Sequence, residues 1–218
     1  MASEATDVAF FRTLLQFRTV SAEGPTSGAY SACCNWLEAQ CKELGLSTSI
    51  VEPVAGKPVL VATLAGTEPS LPTVVLNSHY DVVPAMADHW DVDPWAAIER
   101  EGRIYGRGAQ DRNPHKDRPT RTQPATFTPT EPRPYFNPNP SPDPNLNSTP
   151  DPNPEPTQDM KCVVASYILA LKRLLAARGG APFRRTLHLT FVPDEEIGGK
   201  VICLLRLAPR SCVGFHHP

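Results

Sequence analysis

Fourteen of the chain's 25 prolines fall between Pro114 and Pro156, and that skew limits what the 218 residues can fold into. Residues 112–158 read RNPHKDRPTRTQPATFTPTEPRPYFNPNPSPDPNLNSTPDPNPEPTQ, with almost no aliphatic side chain. Proline removes a backbone donor and fixes φ, so such a stretch cannot enter a helix interior or a central strand. It is expected to be disordered or polyproline-II-like, and it is far longer than an ordinary connection inside a compact domain. The chain therefore divides into a first ordered part (1–111), a proline-rich insert (112–158), a continuation of the ordered part (159–199) and a divergent tail (200–218). A docking role for the insert rests on composition alone, because Pro132-Arg133-Pro134 and its neighbours supply no groove-binding core.

Outside the insert the hydrophobic period alternates between 3.6 and 2. Residues 7–18 place Val8, Phe11, Leu14 and Leu15 at helical spacing, with Asp7 as the expected N-cap. A Ser/Gly/Pro loop spans 20–28, and a second amphipathic helix covers 29–44, stopped by Gly45. Residues 46–51, 59–64, 73–76, 103–105 and 186–192 read as strands. Residues 160–178 form a strong helix closed by Gly179-Gly180. Helices alternating with apolar strands predict an α/β domain whose mixed, mostly parallel sheet is flanked by helices.

Bulk composition narrows the function classes. A formal net charge of -2 with 40% hydrophobic residues suits a globular domain and offers no basic stripe, so no nucleic-acid partner is expected. No apolar run reaches the roughly 18 residues of a membrane span, so no membrane partner is expected either. Residues 1–7 are polar and acidic, unlike a signal peptide, and a cytoplasmic location follows as the expectation. The six cysteines form no CxxC pair and read as buried, reduced thiols.

Three short segments carry chemistry, and each follows an apolar strand. Asn77-Ser78-His79-Tyr80-Asp81 offers an imidazole for metal, with a carboxylate two residues on to steady its other ring nitrogen. Tyr105-Gly106-Arg107-Gly108-Ala109-Gln110-Asp111 uses two glycines to turn the backbone and deliver a carboxylate able to bridge two metals. Phe191-Val192-Pro193-Asp194-Glu195-Glu196 presents adjacent carboxylates at a strand end. There they are expected to point in different directions, one binding metal and one taking a proton from water. Each segment alone is an ordinary polar turn. Their joint occurrence at the carboxyl ends of strands, where α/β sheets collect ligands, points to one site.

NSHYDVVP, GRGAQD, the DMKC helix start and FVPDEEIGG, in that order, resemble the signatures of the aminoacylase-1 branch of the M20 zinc metallopeptidases. The resemblance covers roughly residues 7–111 and 159–199. It implies a zinc-dependent amidohydrolase that cleaves N-acyl-L-amino acids, a small-molecule substrate, to a carboxylate and an amino acid. It implies two Zn2+ ions, with His79 on one, Asp81 orienting His79, and Asp111 bridging both. It further implies Glu195 as the general base and Glu196 on the second zinc. The family runs its bridging Asp straight into Met-Lys-Cys, whereas here Gln110-Asp111 and Gln158-Asp159 flank the insert. Either Asp111 or Asp159 can be the bridge: Asp111 keeps the glycine turn, and Asp159 keeps the helix start. The family also has a later acidic ligand, a late His ligand and a smaller domain that makes homodimer contacts. None is recognisable after Gly199, and the flanks of His216-His217 do not match the late ligand. The alternatives are a truncated, catalytically silent M20 variant, or an M20 dipeptidase or deacetylase of other specificity.

Overall fold

The computed structural model describes residues 2–86, 88, 90–100, 102–109, 160–199 and 201. The proline-rich insert, Asp111, Asp159 and the tail with His216 and His217 lie outside the described residues.

Among the described residues, four helices and six strands follow one another as α1 (Ala2–Gln16), α2 (Gly24–Ser27), α3 (Ala29–Glu43), β1 (Ser47–Val51), β2 (Val59–Leu64), β3 (Val74–His79), β4 (Ile98–Arg100), β5 (Arg103–Tyr105), α4 (Lys161–Ala177) and β6 (Leu187–Val192). The helical periods place α1, α3 and α4 within a few residues of expectation. Two local readings change. The first helix begins at Ala2, so Asp7 sits inside it and caps nothing; its carboxylate instead pairs with Arg173 on α4. The expected loop over 20–28 contains the single turn α2, entered through Pro25.

β1, β2, β6 and β3 form one sheet in that order. The sheet is mixed, as expected, but two of its three pairings are antiparallel and only β3 with β6 is parallel. The expectation of a mostly parallel sheet is corrected to that extent. β1 and β2 are joined by a short connection, which suits antiparallel neighbours, whereas the parallel pair is bridged by a long crossover containing α4. β4 was not apparent in the sequence. It forms a separate hairpin with β5 across Gly102, whose φ of +70° suits a residue without Cβ.

One face of the sheet is covered by α1, α3 and α4. Leu60, Ala62, Leu189 and Phe191 point into that core and meet Leu14, Leu37, Cys41, Val164 and Ile168. Trp36 of α3 packs between Phe10 and Phe17, with centroid separations of 4.9 and 5.7 Å. Cys33, Cys34 and Cys41 are free and wholly buried here, as expected, and burial pushes each thiol up to about 12. The opposite face carries a smaller cluster of Val59, Val61, Val192 and Val201.

Candidate metal centre

The parallel pairing of β3 with β6 positions the site. In register, His79 faces Val192, so both strands end at the same level, and the amide of Tyr80 continues the ladder to the Val192 carbonyl at 3.0 Å. β3 runs three residues further than the sequence suggested and ends on His79 itself. The imidazole is therefore placed by sheet hydrogen bonding and is almost fully buried.

After Val192 the chain turns at Pro193 and enters a single 3-10 turn, Glu195–Ile197. Asp194 precedes it in the left-handed region, at φ +68°. That conformation is uncommon outside glycine, though Asp tolerates it better than most residues, and it costs roughly 1–2 kcal/mol. The two glutamates were expected to point in different directions from a strand end, one toward metal and one toward water. In a 3-10 turn successive side chains are about 120° apart, and both carboxylates approach His79. One ligand atom from each of His79, Glu195 and Glu196 lies within 4.8 Å of the others. His79 Nε2 is 3.6 Å from a Glu195 carboxylate oxygen.

Asp81 ties these parts together. It is completely buried. His79 Nδ1 lies 3.1 Å from its carbonyl oxygen and 3.2 Å from Oδ1. The amide of Glu195 donates to Oδ1 at 3.2 Å, and the amide of Glu196 donates to Oδ2 at 3.3 Å. The Ser21 hydroxyl donates to Oδ2 at 2.9 Å. One carboxylate thus fixes the imidazole through Nδ1 and grips the backbone that carries both glutamates. Engaging Nδ1 in this way leaves Nε2 directed at the carboxylates, the arrangement a metal-binding histidine requires.

Several residues of this network were not singled out in the sequence. Ser21 is delivered by a bridge between Val20 and Val82, where residues 19–21 run beside 80–82. Lys57 forms an ion pair with Asp194, which is itself almost fully buried. Tyr30, wholly buried, packs edge-on to Tyr80 with centroids 5.4 Å apart. Burial, then the nearby Asp81 and Asp194 carboxylates, hold its phenol well above the usual range. No sequence motif marks Ser21, Lys57 or Tyr30, because each meets the site only through tertiary contact.

The glycine turn is placed as far as Ala109. Gly108 has φ +95°, and a Cβ there would lie 2.8 Å from Lys161 Cδ and 3.3 Å from a Val82 methyl. The turn therefore passes directly beside the segment that follows His79, and glycine is required for both conformation and space. Lys161, from the DMKC segment, is completely buried and donates to the Phe17 carbonyl at 2.7 Å. Of the five expected site residues, four are brought together, and the fifth, Asp111, lies outside the described residues.

The donor chemistry suits a divalent cation of zinc type: one imidazole nitrogen held in orientation by a carboxylate, and two carboxylates beside it. Comparisons with known proteins bear on the family to which these motifs point. The model of peptidase family M20/M25/M40 matches residues 75–113, which include His79 and Asp81. Aminoacylase-1 of Sus scrofa is 36% identical over 197 residues, 90% of this chain and 35% of that protein. Aminoacylase-1 of Mus musculus is 35% identical over 198 residues, with the same shares covered. The chain thus spans about a third of the length of these curated relatives. Among solved structures, human carnosine dipeptidase 1 superposes with a TM-score of 0.61 at 19% identity, over 92% of this chain and 34% of that one, and supports the fold. The chain is thus similar to peptidase family M20 over the matched segment and to aminoacylase-1 along nine-tenths of its own length.

Proposed function

We propose that this chain carries part of the active site of a zinc-dependent amidohydrolase of aminoacylase type, acting on N-acyl-L-amino acids. The observation that carries the reading is the convergence of His79, Glu195 and Glu196 within 4.8 Å, at the ends of two paired strands, with Asp81 holding all three. His79 Nε2 and the Glu196 carboxylate would hold zinc, and Asp111 or Asp159 would supply the bridging carboxylate of a two-ion site. Zinc, when bound, supplies Lewis acidity toward a carbonyl oxygen and makes water a nucleophile at neutral pH. Glu195, half exposed at the cluster, would accept a proton from the attacking water and return it to the departing amine nitrogen. Asp81 touches no substrate in this scheme; it keeps the proton on Nδ1 and fixes the spacing between imidazole and carboxylates. Cys33, Cys34, Cys41 and Cys162, none of them in a disulfide, suit a reducing cytoplasmic setting.

Zinc titration combined with hydrolysis of an N-acetyl amino acid tests the reading. Glu195→Gln should keep zinc binding while lowering turnover by about 100- to 10,000-fold, the usual worth of a general base. Zinc affinity unchanged by His79→Ala would reject the site.

A further inference from the structure

We propose that Lys57 is a positioning residue for the Glu195-Glu196 turn, acting through Asp194 from the loop between β1 and β2. The inference rests on the reading of His79, Glu195 and Glu196 as a metal centre. Asp194 is the residue from which the turn springs. Its carbonyl accepts the Gly199 amide at 2.7 Å and closes the segment 194–199 into a loop. Its backbone is in the left-handed region at φ +68°, and its side chain is 2% exposed. The carboxylate is paired with the Lys57 ammonium, a residue 137 positions away in sequence.

The loop that carries Lys57 is itself fastened to the strand end. The Lys57 amide donates to the Val54 carbonyl at 3.0 Å, and the Tyr80 hydroxyl donates to the Pro58 carbonyl at 2.5 Å. Tyr80 is the neighbour of His79, so the ammonium is referenced to the same strand end as the imidazole. The turn is therefore held from two sides. Asp81 grips the amides of Glu195 and Glu196, while Lys57 grips the side chain of the residue before them. A carboxylate out of water needs a paired cation, and without one it moves toward solvent. For Asp194 that movement means leaving the left-handed conformation, which swings both glutamates away from His79. Lys57 thereby sets the spacing of the donors without being one of them.

Zinc affinity of the full chain, measured by competition with a chromophoric chelator, tests this. Lys57→Met should weaken zinc binding by about 10-fold or more, as loss of an outer partner of a metal ligand does. Lys57→Arg, which keeps the cation, should recover most of that loss. Asp194→Gly suits the left-handed backbone and removes the buried carboxylate, leaving only the more exposed Lys57 ammonium, so it provides a second variant if Lys57→Met does not fold. It should lose affinity to the same extent, and adding Lys57→Met to it should change affinity by no more than about 2-fold. Wild-type affinity in Asp194→Gly or in folded Lys57→Met, or additive losses in the double variant, would overturn the proposal. His79→Ala separates the two levels: zinc binding that survives it would overturn the metal centre and this proposal together. Binding abolished by His79→Ala but untouched by Lys57→Met overturns only the role of Lys57.

Discussion

β6 and β3 lie side by side, parallel and in register, but they are buried differently. β6 has a partner on each side, and four of its six residues are buried. Among the described residues β3 pairs only with β6, and Val74, Val75 and Asn77 are exposed. It becomes buried at Ser78 and His79, its last two residues. The contrast separates two tasks. β6 is a structural centre whose apolar side chains hold the helices to the sheet. β3 contributes little to that core along most of its length and is enclosed only where it delivers the imidazole. The site is thus the place where a lightly packed strand is held by polar contacts rather than by apolar burial.

Substitutions can break or sharpen that contrast. The largest loss should come from Phe191→Ala in β6, where a fully buried ring is removed; chemical denaturation should report about 3–5 kcal/mol. Asp81→Ala, just beyond β3, should follow. It removes the acceptor of the Ser21 hydroxyl and of two amides, at a cost of roughly 3 kcal/mol. Zinc affinity should fall with it by at least about 10-fold, so calorimetry and metal titration should move together. Stability lost without any change in zinc affinity would show that the polar end of β3 serves the fold alone.

Gly108→Ala should cost about 1–3 kcal/mol, because the new methyl meets Lys161 and the positive φ disfavours any L side chain. A crystal structure or hydrogen exchange of that variant should show the change centred on the turn and on Val82. The covered face under β6 also carries a pH signature. Burial raises the thiols of Cys33, Cys34 and Cys41 from 9.0 to about 12, so the folded state retains protons that the unfolded state releases. Their contribution is complete below pH 9 and is lost as pH rises toward 12, so the unfolding midpoint should drop over that window. Replacing all three with Ser-sized apolar residues such as Ala should flatten that decline. The smallest effect belongs to Val75→Ala on the exposed part of β3, within about 0.5 kcal/mol. A larger value would mean that this edge is covered in solution.

The grouping of His79, Glu195 and Glu196 was legible because its signals are local. His79-Tyr80-Asp81 and Asp194-Glu195-Glu196 are compact motifs that follow apolar strands, and strand ends are where α/β sheets gather ligands. The helices were legible for the same reason, since a 3.6-residue period is written within a dozen residues. The direction of strand pairing was not. Residues 59–64 and 187–192 have the same apolar character whether they run parallel or antiparallel, and the choice was made by how the connections could close.

By itself, then, the sequence determined which residues could bind metal and that an α/β frame would present them. Tertiary structure decided how those residues are held. Ser21 reaches Asp81 across 60 positions and Lys57 reaches Asp194 across 137, and no local pattern encodes either meeting. It also decided that the two glutamates converge on His79, because a 3-10 turn and a left-handed Asp194 replaced the extended strand end. The physical reason is common to all three. Side-chain chemistry is a property of each residue, whereas burial of a charge becomes tolerable only when a partner from elsewhere in the chain arrives to meet it.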